Sequence, residues 1–502
     1  MTGVQTCALP ICTALTIATI QLSGWDAFAL TQFAATNRLP DPVASGQYTA
    51  VPVAPFSALD VATPLGGGDQ EVALDQEALL AAAPHANQRV YFAQNDLSGS
   101  FAAAVTQVAA DAATYHIVAL SISWGSCEAN WNQIPDAMAG MHTALVAAKA
   151  AGVTVFAASG DSGKYDCYDT QTSHSSGPLE AEIDVDYPAS DPLVVAVGGT
   201  TVYTSTETAW SDPQLDRPWG SGGGESTTWA APSWQVGATG RRVPDIAANA
   251  DASSGPPVYL PDSRGGFAWM SGGGTSIASP LMAAMFTNTL AQAGFTTGIG
   301  DIHTFLYQNP PTGSFADITV GGDNYTSGPG SSAWAAGVGY DQATGLGTPR
   351  WNLLKVAYLY APVLRVNPYT LTDSVAISAV VSSQTTYDSF RFGTGPAPAV
   401  NPLAACPLAG TDTATPAATI SSLPLGATNI WFTAQVTANG TTACYLVQGT
   451  VVYDITKPVA SVNAAAYSAV VPFTASTTFT LKALSTDTRS EEHTSELQSH
   501  SF

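Results

Sequence analysis

Between Thr16 and about Tyr360, short apolar runs rich in β-branched residues alternate with longer stretches of helical periodicity. This alternation is typical of repeated βαβ units, in which each helix connects two parallel strands. We therefore predict an α/β fold with a doubly wound parallel sheet. The predicted strands are 16–21, 89–94, 117–123, 153–159 and 193–199, and the predicted helices lie near 25–36, 71–83, 98–114 and 133–151 and after Ser276.

The composition changes after Pro362. Thr, Val, Ser and Ala dominate from there on, helical periodicity disappears, and turn residues separate short alternating runs such as 374–381 and 429–437. This pattern predicts an all-β immunoglobulin-like sandwich over 362–457. Residues 458–488 have the pattern of a further β segment that is cut off after its start.

Both ends of the chain resemble translated sequencing-adapter DNA. The resemblance covers Met1 to Ile11 and Arg489 to His500, so we interpret residues 1–11 and 489–502 as adapter artefacts and expect no packed structure from them. On this interpretation the natural N-terminus is missing, and the lack of a signal peptide says nothing about localisation.

The cysteines indicate the redox environment. With Cys7 and Cys12 excluded, the remaining ones are Cys127, Cys167, Cys406 and Cys444. Four cysteines allow three pairings, and their grouping into one pair per half of the chain favours Cys127 with Cys167 and Cys406 with Cys444. Two such disulfides would fit an oxidising compartment. Four unpaired buried thiols are the alternative.

The chain is acidic and carries few charges. It has 15 Lys and Arg against 38 Asp and Glu, a formal net charge of -23, and only 11% of its residues are charged. This balance argues against nucleic acid or anionic membrane as a partner. No apolar run approaches the roughly 20 residues needed to cross a bilayer. We expect a secreted, extracellular protein, with a monomer as the default state.

The segment GGGTSIASP (272–280) is the strongest chemical signal. A glycine run precedes Thr275 and Ser276, and an apolar helical pattern follows. A serine in the first turn of a helix presents its hydroxyl beside free N–H groups and the positive end of the helix dipole. This position suits a nucleophile, although a bare serine after glycine more often only caps its helix. The full string resembles the active-site segment of the subtilisin-like clan.

A nucleophilic serine needs a base, and no histidine fits that role. Subtilisins have a His-Gly pair, which is absent here. Instead, Glu71 and Asp75 lie one helical turn apart on a predicted helix, about 40° apart around its axis, whereas Glu77 points away. An ordinary solvated acidic turn is the alternative interpretation of this pair.

A third motif, SGDSG (159–163), follows a predicted strand and contains Asp161, which alone could be a turn or capping residue. Glu71, Asp75, Asp161 and Ser276 together resemble the sedolisins, the serine-carboxyl peptidases, in residue type and chain order. The resemblance implies a subtilisin-like fold in which all four residues are catalytic.

The resemblance also implies a role for each residue. Ser276 would be the nucleophile and Glu71 the general base, with Asp75 holding Glu71 and sharing its proton. Asp161, protonated, would donate a hydrogen bond to the tetrahedral oxyanion. A carboxylate with a pKa near 4 still accepts a proton in acid, where an imidazole is already protonated. We therefore expect activity at acid pH.

A candidate metal site lies in the last part of the α/β region. Two carboxylates and several glycine carbonyls are hard oxygen donors that suit Ca²⁺, although a glycine-rich turn is the alternative. The resemblance to sedolisins implies one structural calcium ion. The matching ligands would be the side chains of Asp317 and Asp341 and the carbonyls of Ile318, Gly337 and Gly339.

Two features depart from the family pattern. Its members are made as zymogens with a large N-terminal prodomain, which this chain lacks, so residues 12–361 would be the catalytic domain alone. Gln21 stands where several relatives have an acidic residue in a wider hydrogen-bonded network. Because Gln21 does not titrate, the family pattern does not fix the details of the pH profile of this chain.

We therefore predict a secreted, acid-acting serine-carboxyl endopeptidase that hydrolyses protein or peptide substrates through an acyl-enzyme on Ser276. One alternative is a tripeptidyl-peptidase of the same family. Another is an inactive peptidase-like protein that serves in binding or adhesion. A neutral-pH subtilisin is disfavoured because the His-Gly pair is missing.

Overall fold

In a computed structural model, the chain divides into two compact units, residues 1–363 with 380–387 and residues 364–379 with 388–502. The structure describes residues 15–64, 67–94, 99–167, 183–203, 206–212, 219–262, 264–293, 295–307, 313–322, 335–351, 354, 363–366, 369–370, 373–380, 387–398, 406–438, 441–453, 460–461 and 484–485. The adapter-like ends, residues 1–11 and 489–502, lie outside the described residues.

The first unit contains all the described helices and most of the described strands. Its helices are α1 Phe28–Asn37, α2 Pro42–Ser45, α3 Ala58–Val61, α4 Gly68–Ala82, α5 Ser100–Tyr115, α6 Glu128–Asn132, α7 Pro135–Ala150, α8 Thr275–Gln292 and α9 His303–Tyr307. Its strands are β1 Thr16–Gln21, β2 Tyr48–Pro52, β3 Asn87–Phe92, β4 Ile117–Ile122, β5 Ser126–Cys127, β6 Thr154–Ala158, β7 Asp186–Tyr187, β8 Val194–Val202, β9 Glu207–Ala209, β10 Ser211–Asp212, β11 Trp219–Gly220, β12 Gly224–Ala230, β13 Gly240–Val243, β14 Ile246–Asn249, β15 Pro257–Pro261, β16 Phe267–Ser271, β17 Phe315–Ala316 and β18 Thr348–Pro349.

A parallel sheet forms the centre of this unit, as the alternation predicted. Its strand order is β14-β8-β6-β4-β1-β3-β2, every neighbouring pair on this path is parallel, and β9 adds an antiparallel strand to β8. The five predicted strands are present within three residues of their predicted ends. The sequence analysis missed β2 and β14, which are short and lie at the two edges of the sheet.

Helices cover both faces of the sheet, which explains its continuous apolar strands. All residues of β1 and β4 are buried. On one face α5 and α7 pack Phe101 and Leu145 against the strands, and on the other α4 and α8 pack Leu79 and Phe286.

Helix α4 is buried over most of its length. The alternative interpretation of its acidic pair as a solvated turn is therefore wrong, because the sheet and α8 enclose the helix.

The second unit is all-β in its described residues. Its strands are β19 Val363–Val366, β20 Tyr369–Thr370, β21 Val375–Val380, β22 Ser389–Thr394, β23 Thr411–Thr413, β24 Ala417–Ile420, β25 Gly426–Ala438, β26 Thr441–Tyr453, β27 Ala460–Ser461 and β28 Leu484–Ser485. They form one sheet in the order β19-β21-β24, a second in the order β20-β26-β25-β22-β23, and the separate pair β27-β28. The immunoglobulin-like topology stays a prediction.

The disulfides agree with an oxidising environment where they are described. Cys127 and Cys167 are bonded, as the pairing predicted, which fixes the end of β5 to the loop after β6. Cys406 is also in a disulfide, while the side chain of its predicted partner, Cys444, lies outside the described residues. Among the described residues, no helix is long and apolar enough to cross a membrane.

Candidate active site

Three segments meet at the carboxyl edge of the parallel sheet. They are the first turns of α4 and of α8 and the loop that follows β6, and they carry Glu71, Ser276 and Asp161 respectively. Adjacent parallel strands end at the same edge of a sheet, which is where loops and helix starts converge. The structure therefore brings together residues that are about 200 positions apart in the sequence.

The Ser276 hydroxyl interacts with the Glu71 carboxylate and favours its charged form. The second carboxylate oxygen of Glu71, Oε1, is shut off from solvent and has no hydrogen-bond partner. Burial raises the pKa of Glu71 well above its ordinary value, and the nearby Asp75 and Asp161 raise it further, against the effect of the Ser276 hydroxyl. A carboxylate of raised pKa in contact with a serine hydroxyl is a suitable general base.

Asp75 is fully buried behind Glu71 and accepts a hydrogen bond at each oxygen. The Ser123 hydroxyl and the Gln21 amide donate to it, both at 2.7 Å. Burial raises the pKa of Asp75 to about 7, although these two hydrogen bonds oppose the increase. Trp124 Nε1 donates to Gln21 Oε1 at 3.0 Å, which turns the amide nitrogen of Gln21 toward Asp75. Gln21 thus holds Asp75 without titrating itself.

Ser123 also fixes the nucleophile. Pro280 lies inside α8 and has no N–H, so the carbonyl of Ser276, four residues earlier, lacks its helical partner. The Ser123 hydroxyl lies 3.1 Å from that carbonyl and 2.7 Å from Asp75. One hydroxyl therefore connects the start of α8 to the acidic pair on α4.

Asp161 is held beside the nucleophile by Thr275, the residue that precedes Ser276. The backbone N–H and the hydroxyl of Thr275 contact Asp161 Oδ1 at 2.7 and 2.8 Å. Gly274 has a φ of +82°, and a Cβ there would come within 2.7 Å of Asp161 Oδ2, so the approach requires glycine. Burial raises the pKa of Asp161, against the effect of the Thr275 hydrogen bonds. A protonated Asp161 would present its O–H as a donor near Ser276.

A cavity of about 310 Å³ opens beside these residues. Its lining is mostly polar and includes both Asp161 and Ser276. None of the histidines in the described part of the chain contributes to this lining. His303, for example, is fully buried and contacts Asp301 and Asp245.

The predicted calcium ligands lie in two segments that the structure brings together. Strands β17 and β18 pair antiparallel beside Asp317, and the N–H of Gly339 donates to Asp317 Oδ2 at 3.0 Å. The N–H of Gly337 donates to Asp341 Oδ2 at 3.0 Å, and Ile318 is buried. All donors of this set are oxygens, so its chemistry fits Ca²⁺.

Sequence reasoning missed the supporting contacts of the site. Thr275 belongs to the recognised GTS string, so its presence could have drawn attention to it. Ser123 and Trp124 follow an ordinary buried strand, and only the fold shows that they touch the acidic pair. Asp166 and Asp186, which line the cavity, gave no signal in the sequence.

Comparisons of sequence and of structure with known proteins point to the same family. No protein-family model matches the chain. The chain is similar to kumamolisin from Bacillus sp. (strain MN-32), with 36% identity over 350 residues, 66% of this chain and 58% of that protein. It is also similar to sedolisin from Pseudomonas sp. (strain 101), with 30% identity over 308 residues, 59% of this chain and 49% of that protein.

The fold gives the same result. The solved structure of Pseudomonas sedolisin, a serine-carboxyl proteinase complexed with two molecules of pseudo-iodotyrostatin, matches with a TM-score of 0.59 and 26% identity over 70% of this chain and 94% of that one. The chain spans about half the length of the curated relatives it matches. On its sequence, its central sheet and these similarities, the chain belongs to the sedolisin family.

Proposed function

We propose that this chain is an acid-acting serine-carboxyl endopeptidase that cleaves proteins or peptides. The observation that carries the proposal is that Ser276 meets both Glu71, a buried carboxylate of raised pKa, and Asp161, which Thr275 holds beside the serine. A nucleophile, a base and an oxyanion donor are the minimum set for acyl transfer. An inactive binding protein would have no need to keep the three together.

In the proposed reaction, Glu71 takes the proton of Ser276 as the serine oxygen attacks the peptide carbonyl carbon. The carbonyl oxygen becomes an oxyanion, which accepts a hydrogen bond from protonated Asp161. Glu71 then gives its proton to the leaving amine, and the acyl group remains on Ser276. Water releases the acyl group in the reverse order of proton transfers, which regenerates the serine hydroxyl.

The pKa shifts set the expected pH range. Glu71 and Asp75 lie close together and both have a raised pKa, so the pair keeps a shared proton to higher pH than isolated carboxyl groups would. Asp161 also has a raised pKa and keeps its proton above the ordinary value of 3.8. The shared proton of the pair and the proton on Asp161 are both present on the acid side of neutrality, and both are lost as the pH rises.

Peptide cleavage from pH 2 to 8 tests this proposal. We expect activity on the acid side that falls as pH rises through the raised pKa of Asp161 and the Asp75 value of about 7, and none in Ser276→Ala. Asp161→Asn keeps an N–H donor that does not titrate, so its alkaline limb should move to higher pH. Ser276-independent cleavage, or a folded chain without cleavage at any pH, would contradict the proposal and favour the binding alternative.

The same assay separates the two kinds of peptidase. Mass spectrometry of products from long peptides with free and blocked N-termini shows where cleavage occurs. Internal cuts that persist with a blocked terminus support an endopeptidase. Release of tripeptides only from free N-termini would instead indicate a tripeptidyl-peptidase.

We further propose a secreted, extracellular enzyme, supported by the disulfides and the acidic balance of charge. Residues 12–361 would form the catalytic domain and 362–457 an immunoglobulin-like module that binds or spaces. The family resemblance further suggests that a prodomain accompanies the intact enzyme as a partner.

One structural Ca²⁺ bound by Asp317, Ile318, Gly337, Gly339 and Asp341 is also part of the proposal. When bound, the ion would tie the segment after β17 to the glycine-rich segment before β18, and it would take no part in the chemistry. With free calcium about 100-fold above its dissociation constant, it should add about 2.7 kcal/mol to the free energy of unfolding. Chelator should therefore lower the melting temperature of the chain but not that of Asp341→Asn. Equal melting curves of the unaltered chain with calcium and with chelator would contradict this site.

A further inference from the structure

Helix α4 and the hairpin of β15 and β16 meet at a buried acid that the proposed reaction does not use. Glu77 lies on the same helix as Glu71, and its side chain is fully buried. Its Oε2 accepts a hydrogen bond of 2.7 Å from the N–H of Tyr259 on β15. Its other oxygen, Oε1, is shut off from solvent and has no hydrogen-bond partner. Glu77 therefore joins the helix of the proposed base to the hairpin.

The hairpin leads directly to the proposed nucleophile. Three glycines, 272–274, connect the end of β16 to the start of α8, and Ser276 is the second residue of that helix. Val258 of β15 is buried in the same apolar cluster as Ile277, which follows Ser276. A hairpin that moved away from α4 would therefore pull on the segment that places Ser276 beside Glu71.

Among the described elements that pack most extensively against α4, none supplies a cation to Glu77. These elements are α1, α8, β1 and β15, and the phenol of Tyr259 is the one titratable group that they contain. The other titratable groups of α4 are acids, namely Asp69, Glu71 and Asp75. The charged residues of the hairpin, Asp262 and Arg264, lie at its turn, where Arg264 is exposed to solvent. Nothing in these elements would neutralise a carboxylate at position 77.

The two protonation states of Glu77 make different demands on their surroundings. A neutral carboxyl group keeps the hydrogen bond from Tyr259 and leaves one uncharged atom unpaired, whereas a carboxylate would be a buried charge without a cation or water. Burial accordingly raises the pKa of Glu77 to about 8, although the N–H of Tyr259 opposes the increase. Water reaches Oε1 only if β15 moves off α4, so ionisation favours that movement.

We infer that Glu77 is a proton-dependent clamp, which holds the hairpin of β15 and β16 on α4 while it is protonated and releases the hairpin when it ionises. The clamp is closed in acid, where we expect the enzyme to act, and opens in alkali. The Gln70 amide also ties α4 to the hairpin, at 2.6 Å from the carbonyl of Pro261, and this contact does not titrate. The clamp does not depend on the proposed peptidase function, but its effect on activity does.

Hydrogen–deuterium exchange of the hairpin tests the clamp without turnover. Glu77→Gln keeps an acceptor for the N–H of Tyr259 and never ionises. Exchange of peptides from 257–271 is compared between the unaltered chain and this variant at equal pH, so that the intrinsic exchange rate cancels. The ordinary pKa of 4.5 applies in the open form and a pKa of about 8 in the closed form. Under conditions in which exchange follows the opening equilibrium, the ratio of the two rates should rise about tenfold per pH unit from pH 5 to 8.

Glu128→Gln is the matched control. Glu128 is also a fully buried acid whose pKa is raised by burial, but it lies on α6 and its Oε1 accepts a hydrogen bond from Ser226. In this variant, exchange of 257–271 should keep the pH dependence of the unaltered chain. The inference is overturned if the ratio for Glu77→Gln does not change with pH, or if Glu128→Gln shifts hairpin exchange as much.

A pH-jump assay relates the clamp to activity. Each protein is held at pH 9 for increasing times, returned to pH 4 and assayed at once with a quenched peptide. Protonation of the catalytic carboxyl groups reverses within the mixing time, so a lasting loss reports a change of structure. We expect the unaltered chain to lose activity about tenfold faster than Glu77→Gln or more, since ionised Glu77 is in about tenfold excess one pH unit above a pKa of 8.

Equal rates of loss in the two proteins would overturn the inference that the clamp protects the site. A folded chain that cleaves no peptide even before the jump, but shows the expected exchange, would support the clamp and count against the proposed function. The two failures are therefore distinguishable.

Discussion

In Glu71→Gln, we expect kcat/KM for peptide cleavage at pH 4 to fall by about 10²- to 10⁴-fold, the usual contribution of general acid–base catalysis. The amide keeps the shape of the side chain and a carbonyl oxygen for the Ser276 hydroxyl. It has no basic oxygen that would take the serine proton as the nucleophile attacks. Because folding and substrate binding should persist, the loss is expected mainly in kcat, measured with quenched peptides at saturating concentration.

Glu77→Gln is the control for this prediction because Glu77 lies on the same helix and is also buried. Its Oε2 accepts a hydrogen bond of 2.7 Å from the N–H of Tyr259, an interaction that glutamine retains. Burial raises the pKa of Glu77 to about 8, so at pH 4 it is already neutral. We expect kcat to stay unchanged in this variant. Similar losses in both variants would show that α4 tolerates no amide and would remove the case for Glu71 as the base.

The helix with both glutamates shows what periodicity can predict. The 40° spacing correctly placed Glu71 and Asp75 together and Glu77 elsewhere. It did not predict that Glu77 is buried, because that depends on β15, which packs against α4 from almost 200 residues further along the chain. A pattern within one helix carries no information on what covers its second face.

The central strands were predictable because their apolar residues are local and continuous. Strands β2 and β14 were not, since each contributes only a short segment that its sheet neighbours stabilise. The same limit applies to the site. The motifs pointed to Ser276 and Asp161, whereas the contacts of Gln21 and Ser123 with Asp75 exist only once strands β1 and β4 lie side by side.

A buried ionic cluster in the first unit links these elements to stability at acid pH. Arg241 and Asp245 are fully buried and form two hydrogen bonds, and Asp245 also contacts His303 and Tyr307. Burial disfavours a charged Asp245, but Arg241 and His303 outweigh it and lower its pKa. Burial likewise lowers the pKa of His303, but Asp301 and Asp245 outweigh it and raise the pKa to about 9.

The sign of each shift gives the pH window of this contribution. A lowered pKa of Asp245 stabilises the fold above its ordinary value of 3.8, and the effect is lost only as pH falls through the lower, folded value. A raised pKa of His303 stabilises the fold below its ordinary value of 6.5, and the effect is lost as pH rises toward 9. Both contributions are therefore complete between about pH 4 and 6.5, the range in which we expect the enzyme to act.

Arg241→Met should accordingly lower the free energy of unfolding at pH 5 by about 3–5 kcal/mol, the cost of leaving a buried charge without its main partner. Arg242→Met is the matched control, since the neighbouring Arg242 pairs with Glu225 at 3.0 Å with both side chains partly exposed. Such a pair contributes at most about 1 kcal/mol. Urea unfolding followed by tryptophan fluorescence measures both. Equal, small losses would mean that His303 alone holds Asp245 in its charged form, and that the fold does not depend on the Arg241 pair for its stability in acid.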